Sequence, residues 1–395
     1  MRLAYLTETY PPELNGVSLT VERTVRHLRD AGHAVDLIRP RQPADAGTAL
    51  AADQRLTSGC RLPMYPDLRF GFARPATLRR RFQADGAELV HLATPGPLAW
   101  AALGAARRLG LAVTSDFRTN FHQYSRHYGL GLLAPLVLAG LRRLHNRGDR
   151  TFVPTRALGR ELAAEGFERL AVVGRGVDTG RFSPARRSAE LRAAWGAADD
   201  EPVLLYVGRL AAEKNVGLAL AAFEAVRRRV RPGARMVLVG DGPVRARLQA
   251  AHPQAHFAGT QRGEALAEHY ASADVFVFPS LSDTFGNVTL EALASGLPVA
   301  AYDTAAAAEH VADGASGRLA PPGDEAAFVE AACALAALGP AGLVPMREAA
   351  LAAARQAGWS EVLGGFEAHL QGVLDARRAS GKQQAKAGGD AEAAA

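Results

Sequence analysis

Residues 275–296 read VFVFPSLSDTFGNVTLEALASG. The first four, alternating β-branched and aromatic, form a buried strand too short for a helix, and Pro279 ends it. A loop over 280–285 follows. Gly286-Asn287 then opens a helix over 288–294, which Gly296 stops. A buried strand that feeds a helix through a short loop is half of a βαβ unit, so the stretch predicts a parallel sheet covered by helices.

The same alternation extends in both directions. Upstream, strand-like runs fall at 3–6, 35–38, 89–92, 111–114, 151–153 and 171–173; downstream they fall at 203–207, 236–239, 275–278 and 299–301. A polar, proline-containing segment at 182–200 separates the two series. At 395 residues the chain exceeds one typical core. The fold class is therefore α/β, with two Rossmann-like doubly wound domains and ligands expected at the carboxyl ends of the strands, in a cleft between the domains. The expected boundaries are 1–182, 183–358, a C-terminal helix over 359–378 packing back toward the first domain, and a disordered tail over 379–395 that lacks aromatic and branched residues.

Composition narrows the function. Cys60 and Cys333 stand far apart with no CxxC spacing, which excludes a disulfide framework and a cysteine-based zinc site. The best apolar run, 130–144, is short and broken by Gly131, Pro135 and Gly140, so no membrane span is expected. The expected location is cytoplasmic, with room for peripheral attachment at the inner membrane face. Up to residue 180 there are 25 Arg and no Lys against 16 acidic residues, a net +9; the remainder carries −3. Arg79-Arg80-Arg81, Arg107-Arg108 and Arg142-Arg143 suit an anionic lipid surface as well as plain solvation. A nucleic-acid partner is not expected.

Three strand ends in the second half carry chemistry. Gly286 at a helix start offers free backbone amides and a positive dipole end to a phosphate. Asp283 and Glu291 bracket that turn; as carboxylates they suit sugar hydroxyls better than phosphate, although an isolated Asp and Glu there read better as a loop cap and a solvated helix residue. Strand 203–207 runs into Gly208-Arg209-Leu210-Ala211-Ala212-Glu213-Lys214-Asn215. Lys214 is one of only three lysines against 43 arginines, and the other two, Lys382 and Lys386, fall in the tail. In so arginine-biased a chain, a compact ammonium at a strand end points to charge stabilisation beside a diphosphate. The third strand end, Val239-Gly240-Asp241-Gly242-Pro243, lacks the last glycine of a dinucleotide fingerprint and reads as a tight turn.

GRLAAEKN, VGDGP, PSLSDTFGNVTLEALASG and RGVDTGRFSP (175–184) occur in the order and spacing of glycosyltransferase family 4, which the chain resembles over nearly its whole length. The resemblance implies a retaining enzyme of the GT-B fold. It is nearest the bacterial branch of GDP-mannose-dependent alpha-mannosyltransferases and related lipid glycosyltransferases. By that likeness residues 1–182 form the acceptor-binding domain and 183–358 the nucleotide-sugar-binding domain; Arg209 and Lys214 hold the donor diphosphate and Glu291 the ribose hydroxyls. Asp283 takes the first position of the family's paired-acid motif, where a Glu is usual. Gly208, Gly240, Phe285, Gly286, Asn287 and Val288 would line the donor, and Arg262 (in GTQR, 259–262) would lie near the base. In the first half, Gly16 of the ETYPPELNGV loop matches a family glycine that approaches phosphate. Arg118 stands where the family often has a His and would bind a phosphate rather than move a proton. Asp116, His122 and His127 remain open between catalytic and structural roles.

The partners so implied are an NDP-sugar donor and a lipid or glycan hydroxyl acceptor. No cofactor and no metal are expected, since the chain has no Asp-x-Asp pair. The sequence reading favours mannose from GDP-mannose. A UDP-hexose-dependent glycolipid glucosyltransferase and a nucleotide-sugar epimerase of the same architecture stay open. So does a non-catalytic sugar or lipid binding module, while a dinucleotide oxidoreductase is disfavoured by the missing glycine.

Overall fold

The structure, a computed structural model, describes residues 1–11, 13, 16–45, 53–62, 65–117, 134–283 and 285–392. The chain divides into two compact units, Met1–Val173 with Leu363–Ala395, and Gly174–Val362.

The first unit runs β1 (Arg2–Leu6), α1 (Gly16–Asp30), β2 (Ala34–Pro40), β3 (Gln54–Leu62), β4 (Tyr65–Phe72), α2 (Pro75–Ala84), β5 (Leu89–Leu92), α3 (Pro97–Arg108), β6 (Ala112–Asp116), α4 (Ala134–His145), β7 (Arg150–Val153), α5 (Arg156–Ala164) and β8 (Leu170–Val172). Its eight strands lie in the order β4-β3-β2-β1-β5-β6-β7-β8. All neighbours pair in parallel except β3 and β4, an antiparallel hairpin at one edge. Strand residues alternate between two cores, as a sheet covered on both faces requires. Leu3 and Tyr5 join Val21, Val25 and Leu28 of α1 on one side, whereas Ala4 and Leu6 meet Ala99, Ala102 and Leu103 of α3 on the other.

The second unit holds α6 (Ala189–Ala194), β9 (Val203–Val207), α7 (Val216–Arg229), β10 (Arg235–Val239), α8 (Arg245–Ala251), β11 (His256–Gly259), α9 (Gly263–Ser272), β12 (Val275–Phe278), α10 (Asn287–Ala294), β13 (Val299–Tyr302), α11 (Ala305–His310), β14 (Gly317–Ala320), α12 (Glu325–Ala337) and α13 (Gly339–Gln356). Its six strands are all parallel, in the order β11-β10-β9-β12-β13-β14. Each sheet has one place where neighbouring strands depart in opposite winding directions, between β1 and β5 in the first and between β9 and β12 in the second. Crevices at such switch points, outside the carboxyl ends, are where open α/β sheets bind ligands.

Two boundaries differ from the sequence reading. The first unit closes at Val173 and not after residue 182, because Val177 and Phe182 are buried in the second unit's core and the Val177 amide donates to the Ala357 carbonyl at 2.9 Å. The expected disordered tail is helical instead: α14 spans Trp359–Glu392. The segment lacks branched and aromatic residues, but Ala, Gln and Lys, whose helix propensities are high, make up most of it despite three glycines. Within α14, Phe366, Leu370, Val373 and Leu374 recur at helical spacing and fill the first unit's core against Tyr5 and Phe152. Among the described residues no single helix is long and apolar enough to cross a membrane.

Candidate active site

Because every strand of the second sheet is parallel, the loops after β9, β10, β11 and β12 emerge at one edge. They carry the motifs read from the sequence. Glycines let them crowd together. Gly208 and Gly240 have φ of +156° and +139°, and an added Cβ on Gly240 would lie 1.9 Å from the Gly208 carbonyl oxygen. The Gly240 amide in turn donates to the Gly259 carbonyl at 2.8 Å, and the Leu210 amide to the Asp241 carbonyl at 2.9 Å. Three strand ends are thus locked to one another through backbone alone. Gly240→Ala is expected to destabilise the protein by about 2 kcal/mol or more, because the backbone itself must move; a thermal melt within a degree of wild type would contradict this packing.

At the β9/β12 switch point the side chains meet. Lys214 Nζ lies 2.9 Å from Asp283 Oδ2 and donates to Ser282 Oγ at 3.2 Å. Ser282 Oγ donates to the Glu213 carbonyl at 3.1 Å, and Ser280 Oγ donates to Asp283. The first three contacts stitch the two loops, the fourth braces the loop after β12, and the ammonium and carboxylate are each about a fifth exposed. Arg209 lies on the same loop, two-thirds exposed and only 3.5 Å from Glu213 at its closest. It is a solvent-exposed cation, whereas Lys214 is held by Asp283 and Ser282. Beneath them the buried Tyr206 hydroxyl donates to the Arg209 carbonyl at 3.2 Å. Burial, then the nearby Asp283 and Glu213, push its phenol up, so it stays a neutral donor.

Helix α10 begins beside Asp283. Gly286, at φ +86°, caps it in the left-handed region that favours glycine, and among the described residues no side chain caps the first amides. Phe285 is buried and its carbonyl accepts from the Ala306 amide at 2.7 Å, so the turn is braced from α11. Asn287 and Val288 are half-buried in the first turn. One turn further in, Glu291 accepts from the buried Tyr270 hydroxyl at 2.9 Å. Burial raises its carboxyl pKa, while the Tyr270 bond and Arg181 oppose the shift. A half-buried carboxylate held by one phenol keeps acceptor capacity for another hydroxyl.

The structure thus brings Arg209, Lys214, Asp283, Phe285, Gly286, Asn287, Val288 and Glu291 to one switch point, with Gly208 and Gly240 as its floor. Arg262 is exposed and caps α9 after the neighbouring strand β11. Gly16 opens α1 in the first unit. Asp116 is fully buried at the end of β6, with Oδ2 3.2 Å from His91 Nε2, which makes it part of the first unit's interior. Arg118, His122 and His127 lie outside the described residues. Sequence reading passed over Tyr206, Tyr270 and Ser282. A hydroxyl-tipped residue inside the apolar strand VLLYV was the one local signal for Tyr206; nothing local pairs Tyr270 with Glu291.

The chain matches the family model described as "Glycosyl transferases group 1" over residues 201–337 and that described as "Glycosyltransferase Family 4" over residues 14–181. It is 38% identical, over 82% of its length and 85% of the relative's, to the GDP-mannose-dependent alpha-mannosyltransferase of Mycobacterium tuberculosis. It is 28% identical, over 76% and 71% of the two chains, to the alpha-monoglucosyldiacylglycerol synthase of Streptococcus pneumoniae. Among solved structures it resembles Anabaena HepE in complex with UDP, with a TM-score of 0.70 at 17% identity over 94% of this chain and all of that one.

Proposed function

The chain belongs to glycosyltransferase family 4, and from that premise we propose that it transfers mannose from GDP-mannose, with retention, to a hydroxyl of a lipid or glycan acceptor. The observation that carries the reading is the fixed Lys214 ammonium beside the uncapped, glycine-led start of α10. A cation and the first amides of a helix converge where a sugar diphosphate would leave.

In this mechanism the bond from the anomeric carbon to the diphosphate oxygen breaks as the nucleotide departs. Lys214, Arg209 and the α10 amides take up the charge that develops on the phosphate. The acceptor oxygen bonds to the anomeric carbon on the same face, and its proton passes to the departing phosphate. Asp283 and Glu291 hold donor hydroxyls, Glu291 those of the ribose. Two side-chain cations supply the charge a divalent ion would otherwise supply, so the reaction is proposed to run without metal. The relative named alpha-monoglucosyldiacylglycerol synthase keeps a lipid acceptor and a glucosyl donor in view. Peripheral attachment to an anionic membrane draws on Arg80, Arg107, Arg108 and Arg143, which are exposed on the first unit; Arg81 is instead committed to Asp36 at 2.8 Å.

A panel of GDP- and UDP-sugars tests the reading by nucleotide release, with and without EDTA and lipid acceptors. GDP-mannose is expected to give the highest release, EDTA to leave it unchanged, and the product to carry the donor's anomeric configuration by NMR. No release from any sugar nucleotide would overturn the reading.

A further inference from the structure

Tyr270 stands 21 residues before Glu291, on α9, which precedes β12; Glu291 stands on α10, which follows it. The two helices pack against each other, so the phenol and the carboxyl meet. The ring is fully buried, with Phe182 edge-on at 5.6 Å and Phe276 tilted at 5.8 Å between centroids. A phenylalanine would serve that packing equally well. Among the described residues the hydroxyl has one partner, Glu291 Oε2 at 2.9 Å. Burial, then the Glu291 charge, pushes the phenol well above its ordinary range, so it stays a donor.

Its acceptor depends on that donor. Burial drives Glu291 toward the protonated acid, and the Tyr270 bond, then the Arg181 charge, oppose it. Those two groups are the ones that face the carboxyl: the phenol from α9, and Arg181 from the segment before α6, itself 4.0 Å from Glu264. The bond also fixes orientation. With Oε2 taken, Oε1 accepts from no donor among the described residues, and it keeps its lone pairs for a hydroxyl that enters the site. Without the phenol, a buried carboxylate would lack any side-chain hydrogen bond and would tend to neutralise.

We infer that Tyr270 is a positioning residue for the donor: it holds Glu291 as an oriented acceptor whose open oxygen, Oε1, takes a ribose hydroxyl. The site thereby selects ribonucleotides over nucleotides that lack the hydroxyl. The inference rests on the glycosyltransferase reading, which gives Glu291 the ribose, and adds a second side chain and an acid limit to donor binding. Tyr270 acts through Glu291 alone. The ionised carboxylate is the stronger acceptor, and its pKa is raised in the free protein. Ribose recognition is therefore complete above that raised value and weakens as pH falls through it. Removing the phenol deletes a bond to the charged form, which moves the weakening to higher pH.

Calorimetry on the full chain with GDP and with 2′,3′-dideoxy-GDP isolates the ribose contribution, because the two share base and phosphates. Tyr270→Phe is expected to weaken GDP about tenfold, the loss of one charge-assisted hydrogen bond. It should leave dideoxy-GDP within about twofold, which also reports that the variant is folded. Glu291→Ala is expected to erase the preference for GDP. Adding Tyr270→Phe to it should bring no further loss, since a residue that acts through another has nothing left to hold. In the wild type the ratio of the two affinities should fall on acidification. The midpoint of that fall should rise in Tyr270→Phe, and the fall should vanish in Glu291→Gln. A Tyr270→Phe loss shared equally by both nucleotides, a further loss in the double variant, or an unmoved midpoint would overturn the inference. A wild type that binds both nucleotides alike would overturn it as well. A wild type that binds neither would instead overturn the function reading beneath it.

Discussion

Lys214→Ala is expected to lower kcat/KM for nucleotide release from the donor by about 10²- to 10³-fold, the loss that follows from removing one donor of about 3–4 kcal/mol at a developing oxyanion. No neighbour replaces it. Arg209 is two-thirds exposed and leans on Glu213, so its guanidinium is not fixed at the β12 loop. The substitution also does more than delete a cation. Lys214 neutralises Asp283 at 2.9 Å, so its removal leaves a bare carboxylate beside the incoming diphosphate. The double variant Lys214→Ala, Asp283→Asn is therefore expected to recover part of the donor affinity that the single variant loses. Lys214→Arg should be intermediate, keeping the charge in a longer, planar group. Steady-state kinetics and donor calorimetry on the four proteins decide this. Unchanged donor binding and turnover in Lys214→Ala would remove the phosphate assignment altogether.

Asp274→Ala is expected to destabilise the second unit by about 3–5 kcal/mol, enough to lower its melting temperature by about 10 °C. Asp274 ends the turn before β12 and, among the described residues, is the single acid for three guanidinium groups: Arg192 at 2.8 Å, Arg347 at 2.8 Å and Arg187 at 3.0 Å. Its Oδ2 also accepts from the Val203 amide, which aligns the start of β9 with β12. Burial would raise the carboxyl pKa, but Arg187 and Arg192, with that amide, bring it below the ordinary value. The stabilisation is therefore present above the unfolded carboxylate pKa and is lost as pH falls through the lower folded one. Removing the acid strands a nearly buried Arg192 charge and two partly buried ones. Asp274→Asn should be nearly as damaging, since it keeps the shape and loses the charge. Differential scanning calorimetry reads the effect directly; a melt within 2 °C of wild type would show that the arginines find water instead.

All ten strands expected from apolar runs exist, and four others went unseen: β3, β4, β11 and β14. The reason is position. β11 and β14 are the two edges of the second sheet, and β3 with β4 forms the hairpin at the edge of the first. An edge strand pairs on one side only and needs no continuous apolar run, so HFAG and GRLA carry little local signal. The alanine-rich stretch 325–354 is split between α12 and α13, which meet where Gly339 takes φ +65°. The tail failed as an expectation for the opposite cause: composition that cannot build a core can still extend a helix that is already nucleated.

Local pattern was enough to establish an α/β chain with two doubly wound sheets, because strand and helix periodicities differ and alternate without interruption. It also raised Lys214, Asp283, Gly286 and Glu291 as candidates, and the structure brings them to one switch point. What it did not contain is who meets whom. Lys214 pairs with Asp283 and not with the adjacent Glu213, and Glu8 caps a helix 90 residues distant. Both follow from sheet orders that set β9 beside β12 and β1 beside β5. Those neighbours are chosen by the packing of whole helices on whole sheets, a long-range contest that no local stretch of sequence records.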